Sequence, residues 1–193
     1  MDVLIAFTTN SGSTEEVASV LAEELGKDGS QVSVKRLEEV ASIDGFDAVV
    51  IGAPMILGWH RSARKFIRKH QKALSRIPVA YFCTAMSLTV PDGWQHERIP
   101  VFADPALAKP RTHRLSIKEN YTHPGNYLKP ILKAAPGVTP VSVAFFGGKL
   151  EYFRLKFLQV LFVMVIIGAQ PVDLRNWAAI REWGAGLHTR FQK

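Results

Sequence analysis

The sequence predicts an α/β domain built on a doubly wound, five-stranded parallel sheet with helices on both faces. Three observations carry this. The chain opens in the order strand, helix, strand, strand: an apolar run at Val3–Phe7, an amphipathic stretch at Thr14–Gly26, an alternating stretch at Gln31–Leu37 and a second apolar run at Asp47–Gly52. Two later apolar runs, Val79–Thr84 and Val141–Phe146, have the length and near-continuous hydrophobicity of strands buried on both faces. Stretches of helical spacing separate them. In such a sheet the ligand crevice lies beyond the C-terminal ends of the strands, so the loops that follow strands one, three, four and five are the places to look.

The first of these loops is Thr8-Thr9-Asn10-Ser11-Gly12-Ser13-Thr14. It leads into a helix with Thr14 as the expected N-cap and Glu15 and Glu16 in the first turn. A helix start presents free N–H groups and a partial positive charge, and the hydroxyls add donors. Gly12 lets the backbone approach a ligand or adopt positive φ. The loop holds no Lys, so it is not a Walker-type loop, and it lacks the G-x-G-x-x-G of dinucleotide sites. A hydroxyl cradle of this kind suits a phosphate monoester; a plain βα turn that caps its helix fits the seven residues equally well.

The first helix buries Val17, Val20 or Leu21, and Leu25, and stops at Gly26 or Gly29. Strand two alternates, which places it at an edge, and strand three is apolar and central. The loop after strand three, Ala53-Pro54-Met55-Ile56-Leu57-Gly58-Trp59-His60, is apolar. Either a flat aromatic ligand covers it, or Met55, Ile56 and Trp59 fold back onto the core. Helix two, Arg61–Arg76, turns Ala63, Phe66 or Ile67, His70 and Leu74 inward. Its other side carries Arg61, Arg64, Lys65, Arg68, Lys69, Lys72 and Arg76 with no acidic residue, a solvated face or a docking face for an acidic partner.

After strand four, residues 85–124 contain five prolines and read as a long irregular insertion overhanging the crevice, a candidate lid. A short helix over Gly125–Ala135 tolerates Pro130. Strand five ends in Gly147-Gly148, which permit close backbone approach. The segment 155–169, with Phe157–Ala169 almost wholly apolar, is too short to span a bilayer and is flanked by Lys149, Arg154 and Lys156. It suits a membrane interface, a buried helix or a dimer contact. Asn176 is the expected cap of a last helix whose stripe is Trp177, Ile180, Trp183 or Gly184, Leu187 and Phe191, with Arg175, Arg181 and Arg190 outside.

Composition sets the outer bounds. The 193 residues suffice for one domain over 1–193, with no internal repeat and a globular balance of 47% hydrophobic and 21% charged residues. The net charge of +7 favours anionic lipid or an acidic substrate, and no nucleic-acid motif is present. The single cysteine, Cys83, lies in an apolar strand, and Met1 leads straight into the first strand; both fit a cytosolic protein without a leader. No Cys/His cluster suggests a metal site, and no nucleophile stands beside an evident base.

Four stretches, in order, resemble the flavodoxin-like superfamily, in the branch of the bacterial menaquinone-dependent protoporphyrinogen oxidases: FTTNSGSTEEVA, VVIGAPMILGWHRSARKFIRKH, AFFGGKLEYFRLKF and PVDLRNWAAIREW. The resemblance implies strand order 2-1-3-4-5 and FMN as cofactor. Its phosphate would lie on Thr8, Thr9, Asn10, Ser11, Gly12, Ser13 and Thr14. Its isoalloxazine would lie between Pro54, Met55, Ile56, Leu57, Gly58 and Trp59 on one side and Thr84, Ala85, Met86 and Ser87 on the other, with Gly147 and Gly148 nearby. One phosphate-sized cradle favours FMN over FAD. The implied activity is six-electron oxidation of a porphyrinogen, with electrons passed to a membrane quinone. Two departures are visible: the loop after strand four is longer than that branch suggests, and the position of a stacking aromatic falls near Ile56, with Trp59 three residues on.

These readings leave an FMN-dependent oxidoreductase acting on a porphyrinogen, with Lys109, Arg111 and Arg114 facing the substrate's carboxylates, as the leading expectation. A flavodoxin-type electron carrier or quinone reductase without porphyrin substrate, and a flavin-free interaction module, are the alternatives. The expected partners are a membrane quinone and the anionic inner face of the cell membrane, with homo-oligomers left open.

Overall fold

In chain order the elements are β1 (Asp2–Phe7), α1 (Ser13–Lys27), β2 (Gln31–Arg36), a 3-10 turn (Leu37–Glu39), β3 (Ala48–Met55), α2 (Arg61–Lys69), α3 (Gln71–Leu74), β4 (Val79–Ala85), β5 (Leu88–Pro91), β6 (Val101–Ala103), β7 (Ala108–Arg111), α4 (Ile117–Tyr121), α5 (Pro124–Ala134), β8 (Ser142–Gly147), β9 (Lys149–Leu150), β10 (Val172–Asp173) and α6 (Trp177–Phe191). They come from a computed structural model that describes residues 1–55, 58–111, 115–150 and 172–192. The apolar segment 155–169 lies outside the described residues, and with it the choice among membrane, core and partner.

The main sheet runs β2-β1-β3-β4-β8-β6 and every neighbouring pair is parallel. The expected five-strand order is therefore present as β2-β1-β3-β4-β8. The sixth strand, β6, comes from the segment expected to be irregular. It is three residues between Pro100 and Pro105, too short to show a period, and it pairs Val101, Phe102 and Ala103 with Val143, Ala144 and Phe145. The same segment forms a separate two-stranded sheet, β5 with β7, and helix α4. Pro91 and Pro110 are tolerated because that pair is all edge.

The faces divide the core. Leu4, Val49, Ile51, Tyr81 and Phe145 pack against α2 and α5. Val3, Ile5, Val50, Phe82 and Phe146 pack against α1 and α6. β3, β4 and β8 are buried at every position and β2 is not, as expected of central and edge strands. Trp183 anchors α6, its indole N–H donating to Ser142 Oγ at 2.9 Å.

Two boundaries move toward the crevice. β3 runs on through Pro54 and Met55, which pair with Thr84 and Ala85 of β4. Pro54 costs little there because β1 ends opposite Gly52, leaving β4 as its one strand neighbour. Helix two divides at His70 into α2 and α3.

Candidate functional site

The β1–α1 turn leaves the sheet beside β3: the Thr8 N–H donates to the Gly52 carbonyl at 3.0 Å. Within it the Gly12 N–H donates to Thr9 Oγ1 at 2.8 Å. The N-cap is Gly12, at φ 89°, and not Thr14. That left-handed conformation is open to glycine at no steric cost and sets the direction in which the helix leaves. Thr14 lies inside the first turn, fully buried, with its hydroxyl 3.0 Å from Thr84 Oγ1. It ties α1 to β4 and offers no hydroxyl to a ligand.

What the turn offers is backbone. The first helical bond runs from Glu16 N–H to the Gly12 carbonyl. The N–H groups of Ser13, Thr14 and Glu15 meet no acceptor among the described residues. Three adjacent donors at the positive end of a four-turn helix, edged by Ser13, Asn10 and Ser11, fit a phosphate monoester. The two carboxylates of that first turn are neutralised from outside it. Glu15 pairs with Arg36 at 2.7 Å, and Glu16 with Arg175. Arg175, expected to stay outside, has a side chain only 5% exposed, also bonds Asp173, and lies over the Trp177 ring. Its position just before the Asn176 cap gave no sequence signal for this role. The cap itself forms as expected, Asn176 Oδ1 accepting from the Ala179 N–H.

The β3–α2 loop takes the other course. Trp59 bridges back to Met55, sits 5.5 Å from the Tyr81 ring, and is 2% exposed; Met55 is 5% exposed. Burying a large indole against the core outweighs leaving it in water as a stacking face. Trp59 and Met55 are thus supports of the loop and not flavin-stacking residues. Gly58 turns the chain at φ 110°, while Ile56 and Leu57 lie outside the described residues.

At the ends of β4 and β8, Thr84 and Ala85 belong to the strand, and both are buried. The Gly148 N–H donates to the Ala85 carbonyl at 2.8 Å, which places Gly148 beside Met86. Gly147 serves packing: a Cβ there would lie 1.8 Å from the Leu174 carbonyl oxygen, so the glycine admits the chain that enters α6 and not a ligand. The Ser87 carbonyl accepts from the Tyr127 hydroxyl at 3.3 Å. Among the substrate candidates, Arg111 is committed to Glu119 at 2.6 Å, Lys109 is exposed on β7, and Arg114 lies outside the described residues.

Histidines begin two neighbouring helices. His60 Nδ1 accepts from the Ser62 N–H at the start of α2, and His123 Nδ1 from the Gly125 N–H at the start of α5. Burial lowers the pKa of both, which keeps these nitrogens neutral acceptors.

The sequence profile of the Flavodoxin domain matches residues 4–169. The chain belongs to the flavodoxin-domain family. Its fold is flavodoxin-like, and its cofactor is FMN. A flavodoxin from the domain Archaea superposes over 100% of both chains at TM-score 0.54 and 11% identity. The two-electron reduced flavodoxin of Megasphaera elsdenii does so over 95% of this chain and 98% of its own, at TM-score 0.51 and 13% identity. The protein named protoporphyrinogen IX dehydrogenase [quinone] of Escherichia coli K12 is 38% identical over 96 residues, 48% of this chain and 52% of the relative. The chain thus spans about half the length of the curated relatives it matches.

Proposed function

We propose that this flavodoxin-domain protein is an FMN-dependent oxidoreductase that dehydrogenates a porphyrinogen and delivers the electrons to a quinone. The observation that carries the reading is the phosphate cradle at Ser13, Thr14 and Glu15, held by a chain that shares 38% identity over 96 residues with a protoporphyrinogen dehydrogenase. FMN, when bound, supplies the redox chemistry. The protein's part is to hold the phosphate on backbone amides, to cancel the nearby Glu15 and Glu16 charges with Arg36 and Arg175, and to shape access from the loops after β3 and β4. Conversion of a porphyrinogen to a porphyrin removes six electrons and six protons, which three quinone molecules take up as three quinols.

A membrane quinone requires access to a bilayer. Arg61, Arg64, Lys65, Arg68, Lys69, Lys72 and Arg76 form no ion pair among the described residues, and the net charge is +7. Each such side chain near an anionic surface adds about 1 kcal/mol of attraction. This supports reversible, salt-sensitive attachment to the inner face of the cell membrane. The basic surface also favours this reading over a soluble carrier that docks on basic partners.

Anaerobic incubation of the FMN-loaded protein with protoporphyrinogen and a menaquinone analogue tests the proposal. Porphyrin fluorescence should rise only when flavin and quinone are both present. Quinone reduction by another donor with no porphyrin formed would leave the quinone-reductase alternative in its place.

A further inference from the structure

A pocket of about 270 Å³ opens between the 3-10 turn that follows β2 and helix α2. Leu37, Val40 and Phe66 line it and are buried, so they form an apolar floor. The other lining residues are polar: Glu38 on the turn, and Ser62, Lys65 and Lys69 on the helix. Glu38, Lys65 and Lys69 are exposed. They share one pocket and carry both signs of charge, yet none of them forms an ion pair among the described residues. The pKa of His60 is lowered by burial and pulled back up by the Glu38 charge, which places Glu38 near the start of α2. Lys65 and Lys69 follow on the helix, one turn apart. Like charges at that spacing repel, and an anion between them relieves the repulsion. Arg61 and Arg68 extend the same exposed basic surface.

We propose that this pocket seats the headgroup of a phospholipid that carries a primary ammonium, with the phosphate at Lys65 and Lys69, the ammonium at Glu38 and the two carbons between them over Phe66. The match is one of charge order. Two cations, an apolar floor and one anion meet a phosphate, a short alkyl link and an ammonium. A purely anionic headgroup would meet the lysines and leave Glu38 facing it unanswered. A quaternary ammonium has no N–H to donate to the carboxylate and is bulkier. The proposal rests on the membrane reading above for the source of its ligand, and it adds to that reading a choice among lipids. The pocket is lined by none of the residues of the phosphate cradle.

The test uses the full chain saturated with FMN and two kinds of vesicle of equal phosphatidylglycerol content. The remaining lipid is phosphatidylethanolamine in one and phosphatidylcholine in the other. Sedimentation should show the ethanolamine vesicles binding about threefold or more tighter, the ratio expected of one partly screened ion pair. Glu38→Gln should remove that gain while binding to the choline vesicles stays at least as tight, because a negative charge has left the basic face. Lys65→Gln with Lys69→Gln should weaken binding to both. These are exposed side chains, so the variants fold. Attachment to both vesicles with no ethanolamine gain, or a gain that survives Glu38→Gln, would overturn the proposal and leave the membrane reading standing. Attachment to neither would overturn both together.

Discussion

Two turns leave the same edge of the sheet and solve opposite problems. The β1–α1 turn is short-chained and polar, and it leaves three backbone donors pointing away from the helix it starts. The β3–α2 turn is apolar, and it folds its aromatic inward, leaving the Trp59 indole N–H buried without a partner. The first turn can bind through main chain because helix geometry fixes its amides whatever the side chains are. In the second, the core decides the direction of the side chains. A ligand-holding turn and an apolar turn therefore respond differently to substitution, and that difference can be measured.

The largest effect should come from Trp59→Ala. Emptying a buried indole site costs about 3–5 kcal/mol of stability, read by denaturant unfolding. If the loop merely covered a flavin, apo-protein stability would hardly change.

Thr14→Val should cost about 1–3 kcal/mol, because the buried Thr84 hydroxyl loses its partner. Thr14→Val combined with Thr84→Val should recover most of that loss, and FMN affinity in the double variant should stay near wild type. A strong loss of FMN affinity would return Thr14 to the role of a ligand donor.

Gly12→Ala should cost about 1–2 kcal/mol through its left-handed backbone. It should also weaken FMN, since the cradle must shift to relieve the strain. Calorimetry on the two variants separates the turn's shape from its hydroxyls.

Acid should loosen the second turn before the first. Burial depresses the folded pKa of His60 and His123. The stability they contribute is present above the ordinary histidine pKa and is lost as pH falls through it toward the depressed folded values. Protonation removes the Nδ1 acceptor and sets a cation on a helix N-terminus. The melting temperature should fall below about pH 6.5, and His60→Asn with His123→Asn should flatten that slope while both caps persist. An unchanged slope would remove the histidines from the account. The smallest effect is expected of Arg36→Met, an exposed pair worth about 0–1 kcal/mol in stability.

The central strands were legible because buried parallel strands are written as apolar runs, as at Val49–Ile51 and Val79–Cys83, while their order came from the family resemblance. The cradle was legible in part. Small polar residues before Glu15 announced a helix start and pointed to Thr14 as its cap, but the buried contact with Thr84 draws Thr14 into the first turn and leaves Gly12 as the cap. β6 was hidden by its length. Trp59 was ambiguous by nature, because an apolar loop reads alike whether a ligand or the core covers it. The pairing of Arg175 with Glu16 spans a separation of 159 residues that no local pattern encodes.

The central claim is that backbone amides of the β1–α1 turn, without a cationic side chain in the turn, hold the phosphate of FMN. Titration calorimetry of the apo-protein with FMN and with riboflavin tests it most directly, since the two differ only in that phosphate. Two charge-assisted bonds, at about 1.5 kcal/mol or more each, predict that FMN binds about a hundredfold or more tighter than riboflavin. Equal affinities would mean that the phosphate lies elsewhere and that the turn does no more than start a helix.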